Sequence, residues 1–240
     1  MKNIFLFLLL ACLLTIDATA QLESISLFTD YSSAQSTRLQ VTEADAVGGG
    51  VKINFKIIEN FSISLNGGYK LYSLNEPDVL NNWNWVFWTQ RYYPKIVSDL
   101  NADQNLAVVI SAVQKMDLIP ISLGFNFKLP YSDKISFTQS FGFGVYFYTR
   151  RMYAVENWSK YFPDADYTFS YSFRNFAPNK KGNPLFVNFN SELSYSLWTD
   201  FRLFTQINVN TLIPTKGSMG YDAFPLKNEI SFALGLAIYY

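Results

Sequence analysis

Residues 228–240 read Asn-Glu-Ile-Ser-Phe-Ala-Leu-Gly-Leu-Ala-Ile-Tyr-Tyr. Ile230, Phe232, Leu234, Leu236, Ile238 and Tyr240 recur at strict period two, and Glu229, Ser231, Ala233, Gly235, Ala237 and Tyr239 fill the positions between. In a strand the two sets face opposite ways. One face is wholly apolar and the other is small or polar, and the run ends on an aromatic residue. A soluble sheet gives little reason for such a strand. A strand with lipid outside and a barrel lumen inside does.

Seven further segments alternate in the same manner: residues 24–31, 46–57, 61–73, 117–129, 135–150, 185–198 and 201–213. In 117–129, for example, Ile119, Ile121, Leu123, Phe125, Phe127 and Leu129 oppose Ser122, Asn126 and Lys128. Each segment is about as long as a tilted membrane strand requires, roughly 9–11 residues. The connections alternate too. Residues 58–60, 130–134 and 199–200 are tight turns, whereas 32–45, 74–116, 151–184 and 214–227 are long. Short turns on one side and long loops on the other is the outer-membrane pattern, with both termini periplasmic. An even strand count lets the first and last strands pair and leaves no edge. The fold expected is all-β, an antiparallel up-and-down transmembrane β-barrel of eight strands in a single domain, residues 21–240.

Two loops carry strand-like stretches, 82–93 and 167–176. A ten-stranded alternative would make both of them spanning, but it would put the tight 130–134 turn on the outer side. Between them Ile96, Leu100, Leu106, Val109, Ile110 and Val113 give an approximate helical stripe, so a short loop helix is expected at 103–115.

The N-terminus fits an exported protein. Lys2 gives a positive start, residues 4–14 an apolar core, and Ala18-Thr19-Ala20 a small-x-small cleavage site, the pattern of a secretory signal peptide. Cleavage after Ala20 leaves Gln21 first. Cys12, the only cysteine, lies inside the leader; lipidation there is the alternative, opposed by the apolar run that continues through Leu13, Leu14 and Ile16. Without Cys12 the mature chain has no thiol chemistry.

The chain has 19 basic and 19 acidic residues, and loss of Lys2 and Asp17 with the leader leaves 18 of each. Zero net charge argues against nucleic acid as a partner. Aromatic residues make up 18% of the chain, with 22 Phe, 16 Tyr and 5 Trp, as lipid-facing strands and interfacial girdles would use. Mean hydropathy is only +0.04, because the lumen half of each strand is polar. The sequence contains no histidine, so the imidazole base that activates a hydroxyl in barrel-type hydrolases and acyltransferases cannot be assembled. No enzyme activity, cofactor or metal site is expected.

The segments 119–125 (Ile-Pro-Ile-Ser-Leu-Gly-Phe) and 141–147 (Phe-Gly-Phe-Gly-Val-Tyr-Phe), together with the C-terminus, make the chain resemble the small OmpA/OmpX/OmpW-type barrels, the porin-family outer-membrane β-barrel domain proteins of Gram-negative bacteria. The resemblance implies architecture and an outer-membrane location only; membrane lipid and the barrel-assembly machinery are the partners expected, and a monomer the expected state. The terminal run implies in addition that Phe232, Leu234, Leu236, Ile238 and Tyr240 form the C-terminal assembly signal. The resemblance transfers no activity.

Candidate functional residues fall in two groups. Lys52, Lys56, Lys70, Lys128, Arg150, Glu192, Arg202 and Glu229 point toward the lumen. Of these Lys52, Lys70, Glu192, Arg202 and Glu229 are the expected network, with Glu192 opposite Gln206 or Asn208 and one rung from Arg202. An eight-stranded barrel encloses room for side chains and little more, so opposite charges that plug the lumen are favoured over an open pore. Gly124, Gly142, Gly144 and Gly235 also face inward, where they leave a cavity or make room for bulky neighbours such as Tyr146, Phe204 and Tyr239. In the outer loops, Trp83, Trp85 and Trp88 either form a contact surface for sugars or a protein, or belong to an interfacial belt or a loop core over the barrel mouth. The function expected is a surface-exposed structural or interaction protein acting through its long outer loops; the alternative is a narrow porin-like channel or carrier for small solutes, polar or hydrophobic.

Overall fold

The computed structural model describes residues 21–240; the leader, its cleavage site and Cys12 lie outside the described residues. Ten strands follow in chain order: β1 Gln21–Thr37, β2 Glu43–Ile58, β3 Phe61–Asn75, β4 Leu106–Pro130, β5 Ile135–Phe162, β6 Tyr167–Phe176, β7 Lys180–Gly182, β8 Leu185–Ser196, β9 Phe201–Leu212 and β10 Leu226–Tyr239. Eight of them form a closed antiparallel ring, β1-β2-β3-β4-β5-β8-β9-β10, with β10 returning to β1. Closure is complete at the chain end, where the Tyr240 N–H donates to the Glu23 carbonyl at 3.0 Å. The ring has eight strands and not ten: β6 and β7 are additions to one side of β5.

The period-two faces of β10 land as the sequence dictates. Leu234 is 48% exposed on the outer wall, and its neighbour Ala233 is 0% exposed within. The outward apolar positions of β4 run from Leu129 to Ile119. Ten residues rise about 33 Å along a strand, and at a tilt near 40° this is roughly 25 Å along the membrane normal, the height of a barrel's apolar band. No helix among the described residues is long and apolar enough to cross a membrane; the strands do the crossing.

β4 and β5 are far longer than the bilayer needs, at 25 and 28 residues. Their pairing runs without a register shift from Pro130↔Ser136 to Leu106↔Lys160. The upper ends stand clear of the ring and, with β6 paired to residues 153–162 of β5, form a three-stranded outer lobe. This corrects the expectation of a helix at 103–115. Leu106, Val108, Ile110 and Ala112 face the lobe core at period two, and the β-branched residues of 106–113 favour the extended chain. The helix lies earlier, at Tyr93–Ala102, with a proline at its start and Ile96 buried. The stretch 82–93 is not strand-like either. A short helix at Val79–Asn82 and a π-helical turn at Trp88–Tyr92 fold the loop onto the lobe. The connection expected at 32–45 is reduced to residues 38–42, because β1 and β2 pair well beyond the membrane band.

Candidate functional site: a closed lumen beneath a folded outer lobe

Lumen charges are paired across the barrel. Lys52 on β2 forms a buried ion pair with Glu192 on β8. Lys70 on β3 pairs with Glu229 on β10 and, at 2.9 Å, with Asp30 on β1, and donates to Ser32 Oγ at 2.8 Å. Glu229 also accepts from Asn210 and from the Tyr146 hydroxyl, both at 3.4 Å. Each carboxylate is thus held by a cation from a different strand, which ties the wall together and leaves little for a solute to bind. Arg202 stands apart. Glu192 registers with Gln206, whereas Arg202 registers with Ser196 two inward rungs away. Arg202 instead donates to Ser136 Oγ at 3.3 Å and lies over the Tyr239 ring, 4.4 Å from its centroid. Lys128 pairs with Glu23 at 3.3 Å near the tight-turn end of the barrel, and Lys56 is exposed.

Gly144 and Gly235 are the small positions that let large rings in. A Cβ on Gly144 would lie 2.6 Å from the Phe186 ring, and one on Gly235 would lie 2.4 Å from Phe204. Between these rings and the ion pairs remains a cavity of about 60 Å³, lined by Asn66, Asn188, Asn190, Asn208 and Asn210 among others. That is space for a few waters, and Asn188 Oδ1 and Asn190 Oδ1 have no protein partner there.

The outer mouth is shut by a plug the sequence did not reveal. Residues 221–224, in the β9–β10 loop, place Phe224 at 0% exposure against Tyr146 and Tyr148, with ring centroids 5.3 and 5.1 Å apart. Tyr146 stacks in turn on Phe186 at 4.0 Å. Arg38 Nη1 donates to the carbonyls of Tyr221 at 2.8 Å and Phe224 at 3.3 Å, and the Tyr148 hydroxyl donates to the Gly220 carbonyl at 2.6 Å. Gly220 has φ +67°, and its Cα would lie 2.6 Å from a Cβ on Gly182, so both positions exclude a side chain. The only signal in the sequence was a pair of aromatics in a loop otherwise rich in Gly, Pro and Lys.

Above the plug the lumen face of β4 and β5 continues as the inner face of the lobe. Arg150 is buried at the boundary, ion-paired to Glu76 and bonded to Gln114. Trp83, Trp85 and Trp88 are 3%, 6% and 2% exposed and pack with Ile96, Met152 and Trp158. They make the core of the lobe, the second of the two roles open to them, and are too covered to be a contact surface. Trp85 stacks on Trp88 at 5.3 Å, and Trp83 donates to the Pro178 carbonyl at 2.9 Å. Glu156, also buried, accepts from Trp158 Nε1 at 2.8 Å, the Tyr92 hydroxyl at 3.2 Å, and Asn175. On the lobe surface, the Lys160 ammonium at 2.9 Å and the Asn105 N–H at 3.0 Å hold the Asp103 carboxyl below its ordinary value. The exposed aromatics of the lobe include Tyr167, Phe169 and Tyr171 on β6, each more than 40% accessible, and also Phe87 and Tyr93 in the segment that covers it. Among the described residues β6 pairs only with β5, so its other edge is free.

No group of His, Cys, Asp or Glu among the described residues is placed to hold a metal ion. No family model and no curated protein matches the chain. Solved structures do. Neisserial surface protein A is 8% identical, with 90% of this chain and 96% of that one covered, at a TM-score of 0.47. Ail, the attachment invasion locus protein of Yersinia pestis, is 9% identical, with 92% and 100% covered, at 0.41. The N-terminal barrel domain of Pseudomonas aeruginosa OprF is 10% identical, with 92% and 100% covered, at 0.35. The closed eight-stranded ring with its outward apolar band is the deciding observation. Its architecture is that of a small eight-stranded transmembrane β-barrel. Identities and scores this low add nothing about function.

Proposed function

We propose that the protein is exported with removal of its leader at Ala20, assembles as a monomer in the outer membrane, and serves there as a surface-exposed interaction module with no enzymatic role. The observation that carries this reading is the pairing of a shut lumen with a folded lobe. The Lys52–Glu192 and Lys70–Glu229 pairs and the Phe224 plug block the lumen, while β4, β5 and β6 carry a hydrophobic core of their own above it. Residues 167–176 present a free strand edge with exposed aromatics. An extended segment of a partner can add to such an edge through backbone hydrogen bonds, with side-chain contacts giving selectivity.

The test has two arms. In a planar bilayer the purified protein is expected to give no steady conductance; reproducible single-channel steps would replace this reading with the channel alternative. In the second arm, Thr168→Pro and Ser172→Pro on β6 are expected to abolish capture of a surface partner while the heat-modifiable barrel band persists. Unchanged capture would remove β6 from the interface.

A further inference from the structure

We propose that the cleft between the mouth plug and the outer lobe binds a small monocarboxylate, with Lys180 holding the carboxylate and the amides of Gln40, Asn82 and Asn84 holding the polar remainder of the molecule. The site goes beyond the β6 contact and rests on the fold alone.

Register creates a charge imbalance here. Lys180 of β7 lies directly opposite Arg150 of β5, so two cations share one rung and one face. Like charges placed opposite one another in a sheet are destabilising. Both also lie against the Trp83 ring, 4.4 and 4.9 Å from its centroid. The neighbouring carboxylate, Glu76, is already taken: it is ion-paired to Arg150 and accepts from Gln114 at 2.8 Å. Among the described residues the Lys180 ammonium touches no carboxylate and no other acceptor. Burial, and after it Arg150, hold Lys180 below the ordinary lysine value. The three groups together carry one uncompensated positive charge, partly withdrawn from water, where an anion is held more strongly than at an open surface. Asp222, the other carboxylate on the cleft wall, is exposed and accepts from the Gly217 N–H at 2.8 Å.

That charge faces a cleft of about 390 Å³. Sites for small molecules span roughly 300–1,000 Å³. Asn82 donates to Gln40 Oε1 at 2.9 Å, while the Gln40 amide nitrogen and the Asn84 side chain have no hydrogen-bond partner among the described residues. The wall is also strained. Leu39, Gln40 and Asn84 line the cleft at φ +58°, +61° and +61°, three of the six left-handed non-glycine residues described. Leu39 and Gln40 fill the centre of a turn closed by the Val41 N–H on the Arg38 carbonyl at 3.2 Å. Two successive positive φ angles make it type I′, a geometry for which Asn-Gly is preferred. Strain of this kind gathers at ligand sites. One excess charge selects a monoanion over a phosphate dianion, and the amides select a ligand with hydroxyl or acylamino groups. Sugar acids and N-acylated amino acids share that chemistry.

Isothermal titration calorimetry on the protein in neutral phosphatidylcholine nanodiscs tests the site with glucuronate and with N-acetylalanine. Each is compared with its uncharged counterpart, glucose and N-acetylalaninamide. At least one carboxylate is expected to bind and neither counterpart, and the one that binds names the source. Lys180→Gln is expected to weaken that binding by on the order of tenfold to a hundredfold, the contribution of a hydrogen bond to a charged group. It should not lower the urea midpoint of unfolding, because it also removes a like-charge pair. Lys181→Gln, the next residue and on the opposite face of β7, is expected to match wild type. Leu39→Asn/Gln40→Gly relaxes the turn and deletes one amide; it is expected to unfold no earlier than wild type and to bind severalfold more weakly. Absence of binding by both carboxylates, equal binding of a neutral counterpart, unchanged affinity in Lys180→Gln or in the turn variant, or equal displacement by inorganic phosphate overturns the proposal. The conductance and β6 arms above are independent of every one of these outcomes.

Discussion

Leu234 and Ala237 lie three residues apart on β10 and face different solvents. Leu234→Arg sets a charge against lipid and should cost roughly 2–4 kcal/mol near the midplane. Ala237→Ser faces the lumen beside Arg202 and should change stability by less than about 0.5 kcal/mol. Reversible urea unfolding in vesicles measures both, and a silent Leu234→Arg with a damaging Ala237→Ser would invert the wall. The Lys52–Glu192 pair gives a second test at this scale. Glu192→Ala strands a buried ammonium and should cost about 3–5 kcal/mol, whereas Lys52→Met/Glu192→Leu together should recover most of the loss. A double variant as unstable as the single would mean that the pair is not what the wall depends on there. Which residues faced inward was legible because period two permits no other assignment once one face is apolar. Partners were not. Lys52 meets Glu192 across the lumen, from a strand four places away around the ring, and no local spacing encodes that distance.

The strands of the membrane band were readable as elements, and the lobe was not. Its inner face is an apolar stripe like a lipid face, but it continues the lumen side of β4 and β5 and is covered by residues 79–102. Residues 106–113 fit both a helical and a strand period, and only pairing with β5 decides between them. The lobe and the barrel have separate hydrophobic clusters, so their stabilities should separate. Trp88→Ala removes a 2%-exposed side chain from the lobe core and should destabilise that unit by about 3–5 kcal/mol. Hydrogen exchange at 106–113 and 152–160 should then rise sharply while the barrel keeps its heat-modifiable band; uniform loosening of both would deny the lobe an identity of its own. Acid should act on the same unit. Asp103 is held below its ordinary 3.8, so its link to Lys160 is complete above that value and is lost as pH falls through the lowered one. Exchange at residues 103–106 should increase over that range, and Asp103→Asn should remove the dependence.

At the scale of the molecule, barrel closure and strand count were legible because lipid, lumen and turn length each constrain the same pattern. The shut mouth was not legible, since Phe224 reaches Tyr146 on β5 from a β9–β10 loop whose path the sequence leaves free. The whole is a membrane ring that carries a water-exposed sheet on two of its own strands. Force or ordering applied to β6 is therefore transmitted to the wall through β5 by unbroken backbone pairing, with no flexible hinge between them.

That unbroken pairing also limits how the molecule can change length. The register of β4 with β5 keeps one parity from the periplasmic turn to the lobe tip. A single residue inserted near Arg150 would exchange the two sides of everything above it, sending Met152, Glu156 and Trp158 outward and Arg151 and Tyr153 into the core. Inserting two residues would restore the sides and merely lengthen the stalk. Viable length variants of this hairpin should therefore differ by even numbers of residues within its strands, with odd changes confined to residues 163–166 at the tip or absorbed by a bulge.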